Sequence, residues 1–446
     1  MVTLRSGRQD KIFIGTIVLV HIVFFLMAWH YTRIYMGDSF EYIYEALNIK
    51  NLFFFYSGSP VMPITPEYMT QREPLYPLFL LGVYMFTINN WIVLVLQNLL
   101  SVVNIWYTRK VLLSIGYQKK YDWLLLLFLI AYPAQFINAN TIAPDILLQT
   151  FTVLYFGGFV KLVQSRNTRY AIHMSLVLIA GFMVKPVLYP FVIIHAVIVI
   201  IACKRTEVKM QRPALIALAP LFAVFAYCSF NYSRTDKFHF TSNQAQNAIY
   251  YYYTWLAHKE GEDSAAVFLR KEKQNIAMID EFKDRYEYAD KRGADLVMAH
   301  FGSYLLFHLQ HSARILIEPG KAEIDLFTGA LSYSRLYHKE QTGFYATIKS
   351  KGISGLGEYM RANPSMPFVL LILLFNCLRL VGLVIFFFDK RQDGLVRVFM
   401  LILVAYFALI AGPIANTRYF LPVSLIVIGG AVMGYMSILQ KRILHS

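Results

Sequence analysis

The fold is decided by a stretch near the amino terminus, residues 12–29, which reads IFIGTIVLVHIVFFLMAW. Because no water is present inside a bilayer to satisfy backbone groups, a membrane span needs about 20 consecutive apolar residues in a helix. The basic residues Arg5, Arg8 and Lys11 precede the stretch, as they would precede the apolar core of a signal peptide. The stretch is too long for such a core and no small-residue cleavage site follows. We therefore expect a retained span with its amino terminus inside.

Further apolar runs of this kind follow along the chain. Of its 446 residues, 57% are apolar and only 15% are charged, which is more apolar content than a soluble core can absorb. We therefore predict an all-α polytopic membrane protein with about ten transmembrane helices. They are expected near residues 12–30, 91–108, 122–139, 146–163, 170–184, 187–203, 213–230, 367–388, 398–413 and 420–438.

The basic residues set the expected orientation. A net charge of +15 could suggest a nucleic-acid partner, but that function requires Lys and Arg clustered on one soluble face. Here they form short groups between the apolar runs, as positive-inside orientation requires, so both termini are expected in the cytoplasm and the surroundings are membrane lipids. The groups are Arg109–Lys110 with Lys119–Lys120, Lys161 to Arg169, Lys204 to Arg212, Lys390 to Arg397, and Lys441–Arg442.

This orientation divides the chain into a membrane module, residues 1–230, an external loop domain, residues 231–366, and C-terminal membrane helices, residues 367–446. The module contains a first external loop, residues 31–90. Within that loop, residues 75–88 are apolar but too few to span, so we expect an interfacial helix there.

A second apolar segment, residues 296–317, tests this topology. If it crossed the membrane, the basic group at residues 390–397 would move outside. We therefore expect an interfacial helix here too, within a mainly helical external domain. The segment carries four ionisable side chains: His300, His308, His311 and Arg314.

The turn Gly37-Asp38-Ser39 directly follows the first span. A carboxylate there would meet substrates arriving both from the lipid leaflet and from outside, and it could deprotonate an attacking hydroxyl group. Asp is also a favoured N-cap residue, so Asp38 could instead simply begin a helix over Ser39 to Ile49. The motif alone leaves both interpretations open.

Four further charged residues fall on the same predicted side of the membrane at a similar depth. Arg72, at the start of the short apolar helix, suits a phosphate through paired hydrogen bonds, although an interface arginine that snorkels would look the same. Asp145 opens the fourth predicted span, Lys185 lies between the fifth and sixth, and Arg418 lies in the last outer turn. Together with Asp38 they could supply a base and several cations around an anionic leaving group.

This pattern resembles the C-type (GT-C) glycosyltransferases, polytopic enzymes that take sugars from polyprenyl-phosphate carriers and include protein O-mannosyltransferases and aminoarabinose transferases. That family has a catalytic Asp in the first outer loop and an interfacial helix with a Pro-Leu-Tyr type start. It also has an acid at the fourth span, a basic-Pro turn before the sixth, and a late Arg-Tyr pair followed by proline. The matching positions here are Asp38, Pro74-Leu75-Tyr76-Pro77, Asp145, Lys185-Pro186 and Arg418-Tyr419-Phe420-Leu421-Pro422.

The resemblance covers residues 10–230 and, less closely, the last two spans. It implies a sugar transferase of the plasma (inner) membrane with an extracytoplasmic active site, a polyprenyl-phosphate sugar donor, and a glycan, lipid or protein acceptor. In that case Asp38 would be the general base, and the donor phosphate would bind to Arg72, Lys185 and Arg418. The residues expected to position the acceptor or a possible divalent cation are Glu41, Tyr76, Asp145 and Tyr419.

One departure from the family pattern concerns the acidic residues of the first loop. Many members carry an adjacent acidic pair, whereas Asp38 is followed by Ser39 and the next acid is Glu41. The acceptor class and any metal dependence therefore stay open. Two alternatives remain: a lipid-linked glycan polymerase or ligase, which shares many spans and a large outer loop, and a transporter or flippase. A transporter favours ionisable groups near mid-membrane and broken helices, whereas the charges here gather at one face.

Overall fold

The computed structural model describes residues 2–205, 211–330, 352, 354, 355 and 357–444. Within these ranges the chain is helical and contains no strand, so the predicted all-α fold is confirmed. Up to residue 205 the helices are α1 (Val2–Tyr31), α2 (Ser39–Leu52), α3 (Pro66–Met69), α4 (Leu75–Tyr84), α5 (Asn90–Ser114), α6 (Asp122–Ile130), α7 (Ala134–Ala139), α8 (Asp145–Ser165), α9 (Arg169–Val184) and α10 (Phe191–Arg205).

The rest of the chain adds one long helix, a group of shorter helices and three final long helices. They are α11 (Gln211–Thr235), α12 (Gln244–Glu260), α13 (Glu262–Ala277), α14 (Phe282–Ala299), α15 (Phe301–Arg314), α16 (Lys321–Phe327), α17 (Met366–Phe388), α18 (Gly394–Ala411) and α19 (Thr417–Leu444).

Seven of the described helices are long and apolar enough to cross a membrane, which confirms a polytopic membrane protein. They are α1, α5, α8, α11, α17, α18 and α19. The other three predicted spans fall on shorter or interrupted helices. Helices α9 and α10 have 16 and 15 residues, and the span predicted at residues 122–139 is divided into α6 and α7. The division falls at Pro133, which has no N–H to donate and disfavours helical backbone in the residue before it.

Helix α19 is the centre of the bundle, since 89% of its apolar window is buried, against 22% for α1. It packs closely against α17. A Cβ atom built on Gly434 would lie 1.9 Å from the carbonyl oxygen of Gly382, and one built on Gly382 would lie 2.6 Å from that of Ala431. Small residues allow such backbone approach between membrane helices. Two glycines therefore set the distance between α17 and α19.

Arg109, one of the basic residues that predict the orientation, also joins three helices. Arg109 of α5 is only 2% exposed, and its Nη2 lies 2.6 Å from an oxygen of Asp122 and 2.8 Å from an oxygen of Asp10. The three charges join α1, α5 and α6 at the end of the bundle opposite Asp38. A buried charge needs such partners, so this arginine has a structural role as well.

The two predicted loops consist largely of short helices. In the first, α4 has ten residues, too few to span, as expected. In the second, α12, α13 and α14 enclose their own apolar clusters. Residues 296–317 form no single helix, because the chain breaks at His300 between α14 and the 14-residue α15. His308 Nε2 lies 2.9 Å from the carbonyl oxygen of Leu409, which places α15 across the end of α18. Residues 331–351 of this loop lie outside the described ranges.

The contact between α17 and α19 predicts the effect of a single methyl group. Gly434→Ala would drive a Cβ into the Gly382 backbone, so the two helices must separate. We expect a loss of about 1–3 kcal/mol in stability, measured as a lower thermal unfolding temperature of the purified protein in detergent. Gly15→Ala in α1 is the control, because no atom lies within 4 Å of a Cβ at that position. Equal unfolding temperatures for both variants would contradict the close contact.

Candidate active site

The turn that holds Asp38 is fixed by its neighbour. The Ser39 hydroxyl accepts a hydrogen bond from the Met36 N–H (2.7 Å) and donates one to the carbonyl of Ile142 (2.6 Å). Asp38 stands at the N-cap position of α2, but its side chain makes no capping hydrogen bond. The N-cap interpretation therefore does not account for the Asp38 carboxylate, which is directed elsewhere.

The Asp38 carboxylate faces Arg418, at the start of α19. The Arg418 guanidinium donates from Nη1 and Nη2 to the two oxygens of Asp38 (3.1 and 2.8 Å) and from Nε to Asp145 (2.5 Å). Lys185, between α9 and α10, donates to the other oxygen of Asp145 (2.7 Å). These four residues form the charged cluster, which joins α19 to α8, to the α9–α10 turn and to the segment after α1.

Burial and charge act in opposite directions on Asp38. Burial disfavours its ionised form, but the positive charges of Arg418, Arg72 and Lys185 favour that form more strongly together. The pKa of Asp38 therefore lies well below its usual range. The carboxylate is ionised at any physiological pH, and in this resting arrangement it is a weak base.

Arg72 and Glu41 form an ion pair beside the charged cluster. Arg72 Nε donates to Glu41 (2.6 Å), and the guanidinium lies 4.9 Å from the centre of the Tyr42 ring. Lys185 lies similarly over the ring of Tyr419, at 4.8 Å. Two cations are thus each held by a carboxylate and an aromatic face.

A cavity of about 240 Å³ opens next to these residues, and we call it the site cavity. Its wall contains two of the predicted phosphate-binding cations, Arg72 and Lys185. Helix α12 also contributes side chains that can contact a sugar through rings and amide groups. The site cavity is lined by Tyr42, Arg72, Lys185, Pro186, Val187, Tyr189, Pro190, Thr241, Gln244, Asn247, Tyr251, Ile410, Ala411, Ile414 and Tyr419.

Below the charged cluster, buried amides join the same helices. Gln149, one turn along α8 from Asp145, donates to the Leu421 carbonyl of α19 (2.9 Å). It also exchanges hydrogen bonds with Gln135 of α7 (2.8 and 2.9 Å), which in turn donates to Ser101 of α5 (2.8 Å). Polar pairs of this kind join helices inside a membrane. Below the charged cluster, these hydrogen bonds fix the distance between α8 and α19, and hence the distance between Asp145 and Arg418.

The predicted site residues are therefore brought together to different degrees. Asp38, Asp145, Lys185 and Arg418 share the charged cluster, Arg72 and Glu41 form the neighbouring pair, and Tyr419 lines the site cavity. Tyr76 is fully buried, lies edge-on to Tyr42, and donates to Gln97 (2.7 Å), so it does not reach the site cavity. Their roles in binding and catalysis remain predictions.

The structure also places residues near the site that the sequence did not single out. Gln244 and Asn247 line the site cavity beside Tyr251. The tyrosine itself belongs to the run Tyr250 to Tyr253, which the sequence does mark as rings that could stack on a sugar or form an interfacial aromatic belt. Glu323 of α16 contacts Thr417, the residue before Arg418. These residues come from a segment that the family resemblance does not cover, and no periodicity marks them.

The possible divalent cation is not supported by the arrangement of the carboxylates. Arg418 already lies between Asp38 and Asp145, where a bridging ion would need their oxygens. Within the described ranges, no group of three or more His, Cys, Asp or Glu side chains is placed to hold a metal.

Two buried carboxyl groups, Glu45 and Glu73, lie close to this site. Glu45 is 3% exposed and Glu73 1%. One oxygen of Glu45 has no hydrogen-bond partner among the described residues, and the side chain of Thr241 lies near the carboxyl group of Glu73. Burial raises the pKa of Glu73 to about 8. It also raises the pKa of Glu45 well above its usual value, and ionisation of Glu73 would raise it further. At neutral pH Glu73 is therefore mostly protonated.

The raised pKa of Glu73 predicts a pH dependence of stability. An unfolded glutamate loses its proton near pH 4.5, whereas the native protein keeps this proton up to about pH 8. The free energy of unfolding should thus fall as pH rises through this interval, by about 1.4 kcal/mol per pH unit for this group at most. Glu73→Gln should flatten the profile of unfolding temperature against pH. Glu281→Gln, at an exposed position, is the control and should leave the slope unchanged. A Glu73→Gln profile as steep as wild type would contradict the burial of a neutral Glu73.

Comparison with known proteins gives no family assignment. The sequence matches no protein-family model and no curated protein. The function is therefore inferred from the geometry of the charged cluster and the site cavity, together with the sequence pattern.

Proposed function

We propose that this protein is a glycosyltransferase that moves a sugar from a polyprenyl-phosphate donor to an acceptor hydroxyl group at the outer face of the membrane. The observation that carries the proposal is the charged cluster. In it, a carboxylate in the position of the expected base is held by Arg418, and Lys185 extends from the same cluster into the wall of the site cavity. The resemblance of the sequence pattern to GT-C enzymes agrees with this arrangement.

In the proposed reaction, Asp38 takes the proton of the acceptor hydroxyl group while the acceptor oxygen attacks the anomeric carbon of the sugar. The bond between that carbon and the donor phosphate oxygen breaks, and its electron pair leaves with the polyprenyl phosphate. Attack from the face opposite the phosphate inverts the anomeric configuration. The charge on the departing phosphate is stabilised by Arg72, Lys185 and Arg418.

Donor binding should also change the basicity of Asp38, because Arg418 is paired with this carboxylate in the resting site. Arg418 keeps Asp38 ionised but weakly basic, because the guanidinium stabilises the carboxylate. A donor phosphate attracts the same guanidinium. As Arg418 turns towards the phosphate, Asp38 loses part of this stabilisation and becomes a stronger base. Binding of the donor thereby activates the base at the moment when it is needed.

An apolar groove of about 430 Å³ between α10 and α18 supports a donor with a lipid chain. It lies beside the site cavity: Ile410 lines both, and the Tyr406 hydroxyl in the groove donates to the carbonyl of Val187 in the cavity wall (2.5 Å). An isoprenoid chain in this groove would direct its phosphate towards Lys185. The groove is lined by Ile194, Ile402, Ala405, Tyr406, Leu409 and Ile410.

The proposed location follows from the distribution of the basic groups. Lys204–Arg205 and Lys390–Arg391 lie at the end of the bundle opposite the charged cluster, together with Arg109. Positive-inside orientation makes that end cytoplasmic. In the inner membrane of a cell, the charged cluster and the site cavity would then face the extracytoplasmic side, with both termini in the cytoplasm.

Replacement of the proposed base provides the central test. Asp38→Asn should lower the turnover number for sugar transfer by at least about 100-fold, because the amide cannot accept the proton. The measurement is transfer from a radiolabelled polyprenyl-phosphate sugar to acceptor in detergent or proteoliposomes. Glu67→Gln is the matched control. It lies in the same loop, but its carboxylate pairs with Arg285 instead of the charged cluster.

Three outcomes of this assay would contradict the proposal. Full activity of Asp38→Asn would exclude this residue as the base. Transfer only from an oligosaccharide linked through pyrophosphate would indicate a glycan polymerase or ligase. Movement of the lipid-linked sugar across proteoliposome membranes without a new glycosidic bond would indicate a flippase.

The apolar groove predicts a preference for long lipid chains. Ala405→Trp would fill the groove between α10 and α18 and should raise the KM for a long-chain donor about tenfold, with little effect on a donor with a short chain. Leu371→Trp on α17 is the control, because this side chain is 49% exposed and lies away from the groove. An equal increase of KM for long and short donors would show that the groove does not hold the chain.

A further inference from the structure

The turn of α19 that carries Arg418 is weakly held by its own helix. Pro422 lies four residues after Arg418 inside α19. Because proline has no N–H, the carbonyl of Arg418 cannot receive the usual helical hydrogen bond from that position. Just before the helix, Gly412 and Ala415 have φ values of 49° and 43°, so the chain turns sharply there. Support for Arg418 must therefore come partly from outside α19.

Two contacts described by the structure supply part of this support. Within the turn, the side-chain oxygen of Asn416 accepts a hydrogen bond from the backbone N–H of Arg418 (2.9 Å), as an N-cap does. Below the turn, Gln149 donates to the carbonyl of Leu421 (2.9 Å). Neither contact fixes Thr417, the first residue of the helix.

Thr417 is held by Glu323, a residue of α16 in the long segment between α11 and α17. The Thr417 hydroxyl donates to Glu323 Oε1 over 2.8 Å, and the backbone N–H of Thr417 also interacts with this carboxylate. The two residues are 5% and 2% exposed, so water does not compete for the contact. A carboxylate at a helix N-terminus is favoured by the unpaired N–H groups and by the helix dipole.

The close approach of α16 depends on a glycine. Gly320 has a φ of 74°, and a Cβ atom built on it would lie 3.1 Å from two side-chain atoms of Thr417. A larger residue there would be strained in its backbone and would press on Thr417. Gly320 is thus the point at which α16 meets the start of α19.

We propose that Glu323 is a positioning residue that sets the place of Arg418 in the charged cluster by holding Thr417 at the start of α19. Its effect on sugar transfer rests on the proposed function, since it acts through Arg418 and does not touch the reacting groups. The long segment between α11 and α17 thereby contributes to the geometry of the site, in addition to lining the site cavity.

Asp325 offers a matched control on the same helix. It is also 5% exposed, but it pairs with Lys321 and accepts a hydrogen bond from Ser365 (2.6 Å), so its contacts do not reach α19. Loss of either carboxylate disturbs the packing of α16. Only loss of Glu323 should also free the first turn of α19.

Hydrogen exchange of the whole protein in detergent tests the contact without any assay of activity. In Glu323→Ala, the amides of residues 417–421 should exchange about fivefold faster than in wild type, as for a lost helix cap. Asp325→Ala should leave the exchange of these amides unchanged. Equal exchange in wild type and Glu323→Ala, or an equal increase in both variants, would overturn the positioning role.

Kinetics then separate positioning from general damage to the fold. Glu323→Ala and Thr417→Val should each lower kcat about tenfold, whereas Glu323→Gln and Thr417→Ser, which keep an acceptor and a donor, should retain about half of it. A structural defect alone would not follow this pattern of rescue. If wild type transfers no sugar from a polyprenyl phosphate, the proposed function fails. The exchange experiment still decides the role of Glu323 in that case.

Discussion

A fully buried carboxylate, Asp145, and a half-buried one, Asp38, share one arginine at the end of this bundle, and the rest of the site is arranged around that contact. Arg418 binds Asp38 with one edge of its guanidinium and Asp145 with another. Removing the partner of a buried charge such as Asp145 costs about 3–5 kcal/mol, because no water replaces the lost contact. The segments that carry these residues cannot separate without that loss. Helix α19, which is buried on nearly all sides, is therefore tied to α8 and to the turn after α1.

The same requirement for partners explains the polar residues deeper in the bundle. Gln135 and Gln149 bond to each other, Asn98 donates to Asn140 (2.9 Å), and Arg109 lies between two aspartates. In hydrocarbon, backbone and side-chain polar groups must be satisfied by the protein itself. The break at Pro133 contributes to this network, because it begins the short helix α7 that carries Gln135. The interruption of this predicted span thus helps to place Gln135 where it can bond to Gln149.

Much of the charged cluster could be predicted from the sequence. Asp38, Asp145, Lys185 and Arg418 each lie at the end of an apolar run on the same predicted side, and charges at one depth must find partners. The pairing could not be predicted, since it depends on side-chain directions. The sequence predicts that Arg72, Lys185 and Arg418 bind a donor phosphate, whereas in the structure each of them binds a carboxylate.

The contact of Glu323 with Thr417 could not be predicted either, because it links positions 94 residues apart without any local pattern. The bounds of α9 and α10, by contrast, lie within four residues of the spans predicted at residues 170–184 and 187–203.

The internal partners of Lys185 and Arg418 have a consequence for selectivity. A free phosphate that enters the site cavity must displace carboxylates from these cations, so most of its attraction is cancelled by the contacts that it breaks. In the proposed transferase, a lipid-linked phosphate has an additional source of affinity, because each CH₂ group of its chain that leaves water contributes about 0.8 kcal/mol. The resting site would therefore bind soluble phosphates and sugar phosphates outside the membrane only weakly. Occupancy would be controlled by what the lipid phase delivers, and the cations would serve as a filter for membrane-borne ligands.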